Sequence, residues 1–228
     1  MSITRSFWVT GASQGLGLAL VERLLEQGHR VATSGRESQE LNAIAERHGD
    51  RLLRLPDQIQ DLTQAEAASR QLHRQWGRLD GLIVNAGVCD YLADDTPDTD
   101  LFEMIVSSNL RATEHALAGA RPLLANGEKP QVMAILSRYS AQQLFDPRQP
   151  PDARNSLPQW LREQRTPLKA EGIDLTVVAP QSATLAQVVP EEWTAQTAAL
   201  ELVSRLDQRQ PELVLEPMCL SHLWPLPR

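Results

Sequence analysis

Apolar residues in this chain fall into short unbroken runs, separated by longer stretches with helical spacing, and the alternation continues almost to the C-terminus. The runs Ser6–Thr10, Arg30–Ser34, Leu52–Leu55, Gly81–Asn85, Gln131–Leu136 and Asp174–Ala179 predict strands, with a further one at Glu212–Glu216. They are continuous rather than alternating, as strands covered on both faces must be. Helices are predicted at Gly15–Gln27, Ser38–His48, Ala65–Trp76, Thr99–Ala125, Pro158–Ala170 and Glu191–Gln208. Ser38 can cap the second of these by accepting an otherwise unbonded N–H of its first turn, and Gly49 can end it. Strands alternating with helices predict an α/β fold, a doubly wound parallel sheet with helices on both faces. No internal repeat or low-complexity linker divides the chain, so residues 1–228 read as one domain.

One segment breaks the rhythm. Phe145–Pro158 carries Pro147, Pro150, Pro151 and Pro158 among charged residues. Proline lacks the backbone donor and disfavours helix in the residue before it, so an irregular stretch is predicted there.

The first strand runs directly into Thr10-Gly11-Ala12-Ser13-Gln14-Gly15-Leu16-Gly17, which opens the first helix. A glycine-rich turn at that point lets backbone N–H groups approach a pyrophosphate, where the unpaired amides and the positive dipole end both favour an anion. Gly11, Gly15 and Gly17 serve the turn, the close backbone approach and the packing of helix on strand. After the second strand comes Arg36, and no acidic residue occupies Val31–Arg36. An acid at that place suits a ribose 2′-hydroxyl, whereas a cation accommodates a 2′-phosphate, so the reading favours NADP(H) over NAD(H).

Composition narrows the setting. A net charge of −7 argues against a nucleic-acid surface. Apolar residues make up 42% of the chain, yet no run is long enough to span a membrane, and no signal peptide is recognisable. Cys89 and Cys219 are too few for a disulfide framework, which points to a reducing compartment and a cytoplasmic protein. His29, His48, His73, His115 and His222 lack metal-ligand spacing, and no metal is assigned.

The glycine turn resembles the T-G-x-x-x-G-x-G motif of short-chain dehydrogenases/reductases, and the similarity continues nearly end to end. Leu82-Ile83-Val84-Asn85-Ala86-Gly87 resembles the family's N-N-A-G strand end, with Val84 in place of the first Asn. Asp57 is similar to the family Asp that meets the adenine, and Asn109 matches the family's helix Asn. Gly172–Pro180 resembles the strand ending in the family's P-G, with Gln181 replacing that Gly. The resemblance implies a Rossmann-type domain. It places the cofactor against Gly11, Ser13, Gln14, Gly15, Leu16, Gly17, Arg36, Asp57, Asn85, Ala86 and Gly87.

The family's chemistry uses a Tyr as acid and base, a Lys four residues later that lowers the Tyr pKa, and a Ser that holds the carbonyl. Ser137 matches the Ser. Counting forward without a gap puts Pro150 at the Tyr position and Arg154 at the Lys position. Tyr139-Ser140-Ala141-Gln142-Gln143 is similar to the family's Y-S-A-S-K, with Gln143 at the Lys position and the whole motif close to Ser137. If the chain stays extended, residues two apart share a face, so Tyr139 can stand beside Ser137. A neutral Gln cannot depress a phenol pKa from about 10 as an ammonium does. The candidate catalytic residues are therefore Ser137, Tyr139 and Asn109.

Two functions lead, and a third stays open behind them. One is an NADP(H)-binding oxidoreductase with a degraded centre, acting on a small carbonyl or alcohol substrate. The other is a catalytically silent NADP(H)-binding sensor or protein-interaction module. A scaffold without nucleotide is a third. Pro180–Pro190 is short for the family's substrate lid. The family assembles through helices flanking the site, and Pro158 and Pro167 fall in one of them, which leaves a homodimer open.

Overall fold

The computed structural model describes residues 4–85, 99–136, 157–180 and 194–215. Seven strands, β1 (Ser6–Thr10), β2 (Arg30–Ser34), β3 (Leu52–Leu55), β4 (Gly81–Val84), β5 (Gln131–Ile135), β6 (Asp174–Pro180) and β7 (Glu212–Leu215), form one sheet. Every pairing is parallel, and the order is β3-β2-β1-β4-β5-β6-β7. The chain winds outward from β1 to β3, returns to the middle, and winds outward again from β4 to β7. In such sheets the crevice at the carboxyl ends of the strands, where the order reverses, is the place for a ligand. Here it lies between β1 and β4.

Among the described residues six α-helices cover the two faces: α1 (Gly15–Glu26), α2 (Gln39–His48), α3 (Leu62–Gln75), α4 (Thr99–Leu124), α5 (Leu157–Ala170) and α6 (Ala195–Arg205). Phe7, Val9, Val31, Ile83, Met133 and Val178 point to one face and pack under α1, α2 and α6. Trp8, Ala32, Leu82, Val132, Ala134 and Val177 point to the other, against α3, α4 and α5. Adjacent residues of one strand thus enter opposite cores, which is why the strands read as unbroken apolar runs. Each fully buried leucine of these layers, such as Leu20, Leu72 or Leu161, contributes about 1.5–3 kcal/mol through removal from water. Among the described residues no helix is long and apolar enough to cross a membrane.

Strand boundaries agree with the pattern to within about one residue, while helix starts moved where a cap decided them. The helix expected from Ala65 begins at Leu62, because the Asp61 carboxylate accepts the Gln64 N–H at 3.0 Å. The helix expected from Glu191 begins at Ala195, where Thr194 and Thr197 cap each other reciprocally, and it ends at Arg205 in a 3-10 turn over Leu206–Gln208. A further 3-10 turn at Gly49–Arg51 had no signature in the pattern. Ser38 does cap α2, accepting the Leu41 N–H at 3.1 Å, and Gly49 ends it with a φ of +54°. The proline-rich stretch Phe145–Pro158 lies outside the described residues up to residue 156; Leu157 and Pro158 already belong to α5.

The amino edge of the sheet is locked by side chains. Asp80 is fully buried just before β4, and its carboxylate accepts the Ser6 N–H at 2.7 Å, the Ser6 hydroxyl at 3.0 Å and the Glu128 N–H at 2.8 Å. One carboxylate thus ties the starts of β1 and β4 to the turn before β5. At the start of β6, Asp174 accepts hydrogen bonds from Lys169 and Arg209, and Arg209 also donates to the Lys129 carbonyl. The Lys169 ammonium, and then Arg209, hold the Asp174 carboxyl below its usual range.

Asp80→Ala leaves the Ser6 and Glu128 amides without their acceptor, and is expected to cost on the order of 3 kcal/mol in urea unfolding. For Asp174 the sign follows from its depressed native pKa. Its contribution is complete above the ordinary carboxylate value of about 4 and is lost as pH falls through the native value. Asp174→Asn is therefore expected to flatten the acid limb of the Tm–pH profile below about pH 4 and to lower Tm at neutral pH. Added salt should shrink that difference, because the Lys169 partner is largely exposed.

Candidate functional site

At the reversal of strand order β1 ends and the chain turns through Gly11 (φ +63°) and Gly15 (φ +55°), conformations that favour glycine. The turn is held from two sides. Towards β2, the Ser34 carbonyl accepts the Gly11 N–H at 2.8 Å and the Ala12 N–H at 3.4 Å. Towards β4, the Asn85 N–H donates to the Thr10 hydroxyl at 3.0 Å, and its Nδ2 donates to the Gly11 carbonyl at 3.1 Å. Gly17 closes the arrangement. A Cβ there would lie 2.1 Å from the Gly11 carbonyl oxygen and 2.6 Å from Asn85 Nδ2, so no side chain is admissible without moving the turn. At the end of β2, Gly35 also passes close, with a Cβ placed 2.9 Å from the Ala12 nitrogen.

α1 starts differently from its neighbours. Ser38, Asp61 and Thr194 cap α2, α3 and α6 with side-chain oxygens, but the first residue flanking α1, Gln14, is extended and makes no side-chain cap. Its first turn also lacks an acidic residue. The orphan N–H groups of that turn and the positive dipole end therefore remain for an anion. A cradle that a Cβ would fill, above an uncapped helix end, fits the pyrophosphate of a dinucleotide.

Most of the residues singled out from the sequence converge here. Gly11, Ser13, Gln14, Gly15, Leu16, Gly17 and Asn85 form or border the turn. Arg36 is exposed just past β2 and has no ion pair among the described residues. Asp57 is exposed past β3 and lines a cavity of about 270 Å³ together with Thr33, Gly35, Glu37, Leu41 and Arg54. Asn109 is buried on α4, with its carbonyl accepting the Thr113 hydroxyl at 2.8 Å. Ala86, Gly87, Ser137 and Tyr139 lie outside the described residues, as do Pro150 and Arg154.

The two lysines of the chain can both be placed. Lys129 precedes β5 and Lys169 bonds Asp174 at 2.9 Å, so both stand at the amino edge, across the sheet from the crevice. Thr33, Gly35, Glu37 and Arg54 were missed by sequence reasoning. Glu37 carried a signal, standing about twenty residues past the last glycine of the turn, where a ribose-binding acid is found. Glu37 lies one residue past Val31–Arg36, the span that holds no acid.

The family model for short chain dehydrogenase matches residues 6–196. The chain belongs to the short-chain dehydrogenase family. Among curated proteins, a cis-1,2-dihydrobenzene-1,2-diol dehydrogenase of Pseudomonas putida is 31% identical over 132 residues, covering 56% of this chain and 48% of that protein. A cis-2,3-dihydrobiphenyl-2,3-diol dehydrogenase of Paraburkholderia xenovorans strain LB400 is 34% identical over 122 residues, covering 51% of this chain and 44% of that one. The chain spans about half the length of the curated relatives it matches. A short-chain dehydrogenase from Streptomyces avermitilis superimposes with a TM-score of 0.75 at 18% identity, over 97% of this chain and 92% of that one, which shows the shared fold. The family as a whole is one of NAD(P)(H)-dependent oxidoreductases.

Gly17→Ala tests the cradle. The added methyl must push against the Gly11 carbonyl and Asn85, so NAD(P)H binding, followed by nicotinamide fluorescence, is expected to weaken at least tenfold (about 1.4 kcal/mol). Unchanged affinity in the folded variant would show that the turn does not hold the pyrophosphate.

Proposed function

We propose that this chain is an NADP(H)-binding oxidoreductase of the short-chain dehydrogenase class with a degraded catalytic centre, acting between an alcohol and the corresponding carbonyl. The placement of the lysines carries the reading of the centre. Neither can stand beside a tyrosine at the carboxyl edge, so the cation that lowers the tyrosine pKa elsewhere in the family has no lysine to supply it. Pro150 at the tyrosine position agrees with that. The exposed, unpaired Arg36 supports NADP(H).

A bound nicotinamide cofactor would supply hydride chemistry at its C4. The uncapped start of α1 and the Gly11–Gly17 turn would hold its pyrophosphate, and Asn85 ties that turn to β4. Ser137 donates a hydrogen bond to the substrate oxygen. Tyr139, or a water in its place, supplies the proton to that oxygen in the reductive direction. A misplaced general acid typically costs about 10²–10⁴ in rate, so turnover is slow compared with an intact centre. The relatives named for dihydrodiols make a small hydroxyl-bearing molecule the substrate class to try first. The same lysine placement favours a second reading, a cofactor-binding sensor that no longer turns over.

Calorimetric titration with NADPH and NADH, followed by turnover assays on aldehydes, ketones and cis-diols, tests the proposal. Micromolar NADPH binding is expected, about tenfold weaker in Arg36→Ala with NADH little changed. Slow turnover abolished by Ser137→Ala and by Tyr139→Phe supports the enzyme. Tight binding with no turnover on any substrate supports the sensor. No heat with either nucleotide sinks both.

A further inference from the structure

His29 stands half-buried in the turn between α1 and β2, and its ring makes a contact that only one charge state allows. The Arg5 backbone N–H donates to its Nδ1 at 3.3 Å. That nitrogen must carry a lone pair to accept, so the ring is neutral, with its hydrogen on Nε2. A protonated ring would set a second N–H against the first.

The surroundings oppose a proton as well. The His29 ring packs against Phe7 with centroids 5.3 Å apart, and the Arg5 guanidinium lies over the same Phe7 ring at 4.9 Å. Phe7 is fully buried, so imidazole and guanidinium share an apolar floor. The carboxylates that favour a proton on His29 are Asp207 and Asp80, and both are engaged elsewhere. Asp207, in the 3-10 turn after α6, is largely exposed and accepts from Arg5 Nη1 at 3.0 Å. Asp80, before β4, accepts from Ser6 and Glu128. Arg30, the next residue, turns its guanidinium to Trp76. Burial, and then the Arg5 charge, hold the His29 pKa below its ordinary value of about 6.5.

Arg5 is fixed from several sides. Its carbonyl accepts the Arg30 N–H at 2.9 Å, beside the first pairing of β1 with β2. Its guanidinium is held by Asp207 and, at 3.0 Å, by the Gln131 amide oxygen, in the orientation that satisfies both ends of that amide. The imidazole, half in water, is the part that can move.

We propose that His29 and Arg5 form an acid-released clasp at the amino edge, closed on the Arg5 N–H while the imidazole is neutral and opened when the ring takes a proton and turns to water. The clasp is independent of what the carboxyl edge binds. Linkage gives its direction. The open ring takes its proton near 6.5 and the closed ring only at lower pH, so between the two values each unit of acid favours opening about tenfold. The stability it contributes is complete above about pH 6.5 and is lost as pH falls towards the native value, in a range above the one in which Asp174 acts.

NMR of the whole chain between about pH 7.5 and about pH 5 tests this, through amide exchange of Arg5, corrected for the intrinsic effect of pH, and through the Cε1 resonance of His29. Arg5 protection is expected to fall in step with the titration of His29, by about tenfold per pH unit, and to stay flat in His29→Gln, whose side chain is neutral throughout. Arg5→Met keeps the backbone N–H but removes the cation and releases Asp207, so the His29 midpoint is expected to rise. Should His29→Gln fail to fold, the wild-type profile and Arg5→Met carry the test. Arg5 protection that stays constant while His29 titrates overturns the proposal, and so does a pH-dependent loss that persists in His29→Gln. A His29 midpoint that is unmoved or lowered in Arg5→Met overturns it too.

Discussion

The missing Cβ at Gly17 is the constraint on which the carboxyl edge of the sheet depends. With the helix backbone that close to the Gly11 carbonyl and to Asn85, the first helix starts tight against the end of β1. Three strand ends are then joined by short hydrogen bonds: β1 through Thr10 and Gly11, β2 through the Ser34 carbonyl, β4 through Asn85. The N–H groups of the turn nearest Ser34 are consumed in that junction, while those at the start of α1 are left uncapped. The same packing that holds the fold therefore also leaves free the N–H groups that suit an anion.

The two edges of the sheet do opposite work. At the amino edge, a buried carboxylate and a set of ion pairs lock strand starts and turns together, and both lysines belong to that edge. At the carboxyl edge, among the described residues, exposed groups such as Gln14, Arg36, Glu37 and Asp57 are loosely held or unpaired. Among the described residues, locked groups collect at the amino edge and loosely held ones at the carboxyl edge. A lysine needed at the carboxyl edge cannot be borrowed from the other, because the length of the strands separates them.

Much of this was legible in the chain itself. Continuous apolar runs mark doubly covered strands, and their limits held to about a residue because Phe7 and Trp8 must enter different cores. Helix starts were less legible. Leu62 is 58% exposed and adds nothing to an apolar stripe, so only the Asp61 cap, a local hydrogen bond, reveals that α3 begins there. Of the candidate site, the glycine turn, Asn85, Arg36 and Asp57 stand out by motif and spacing, because a tight turn requires particular residues at particular intervals.

The sequence alone determined the order of elements, the parallel doubly wound sheet and the glycine turn, since each follows from short-range periodicity and backbone preference. Tertiary structure alone decided that Thr33 faces Arg54, that Asn42 and Glu37 flank the same guanidinium, and that both lysines stand away from the crevice. Those juxtapositions depend on strand register and on how α2 packs over β2 and β3. Both are settled by contacts between residues distant along the chain, which no local pattern encodes.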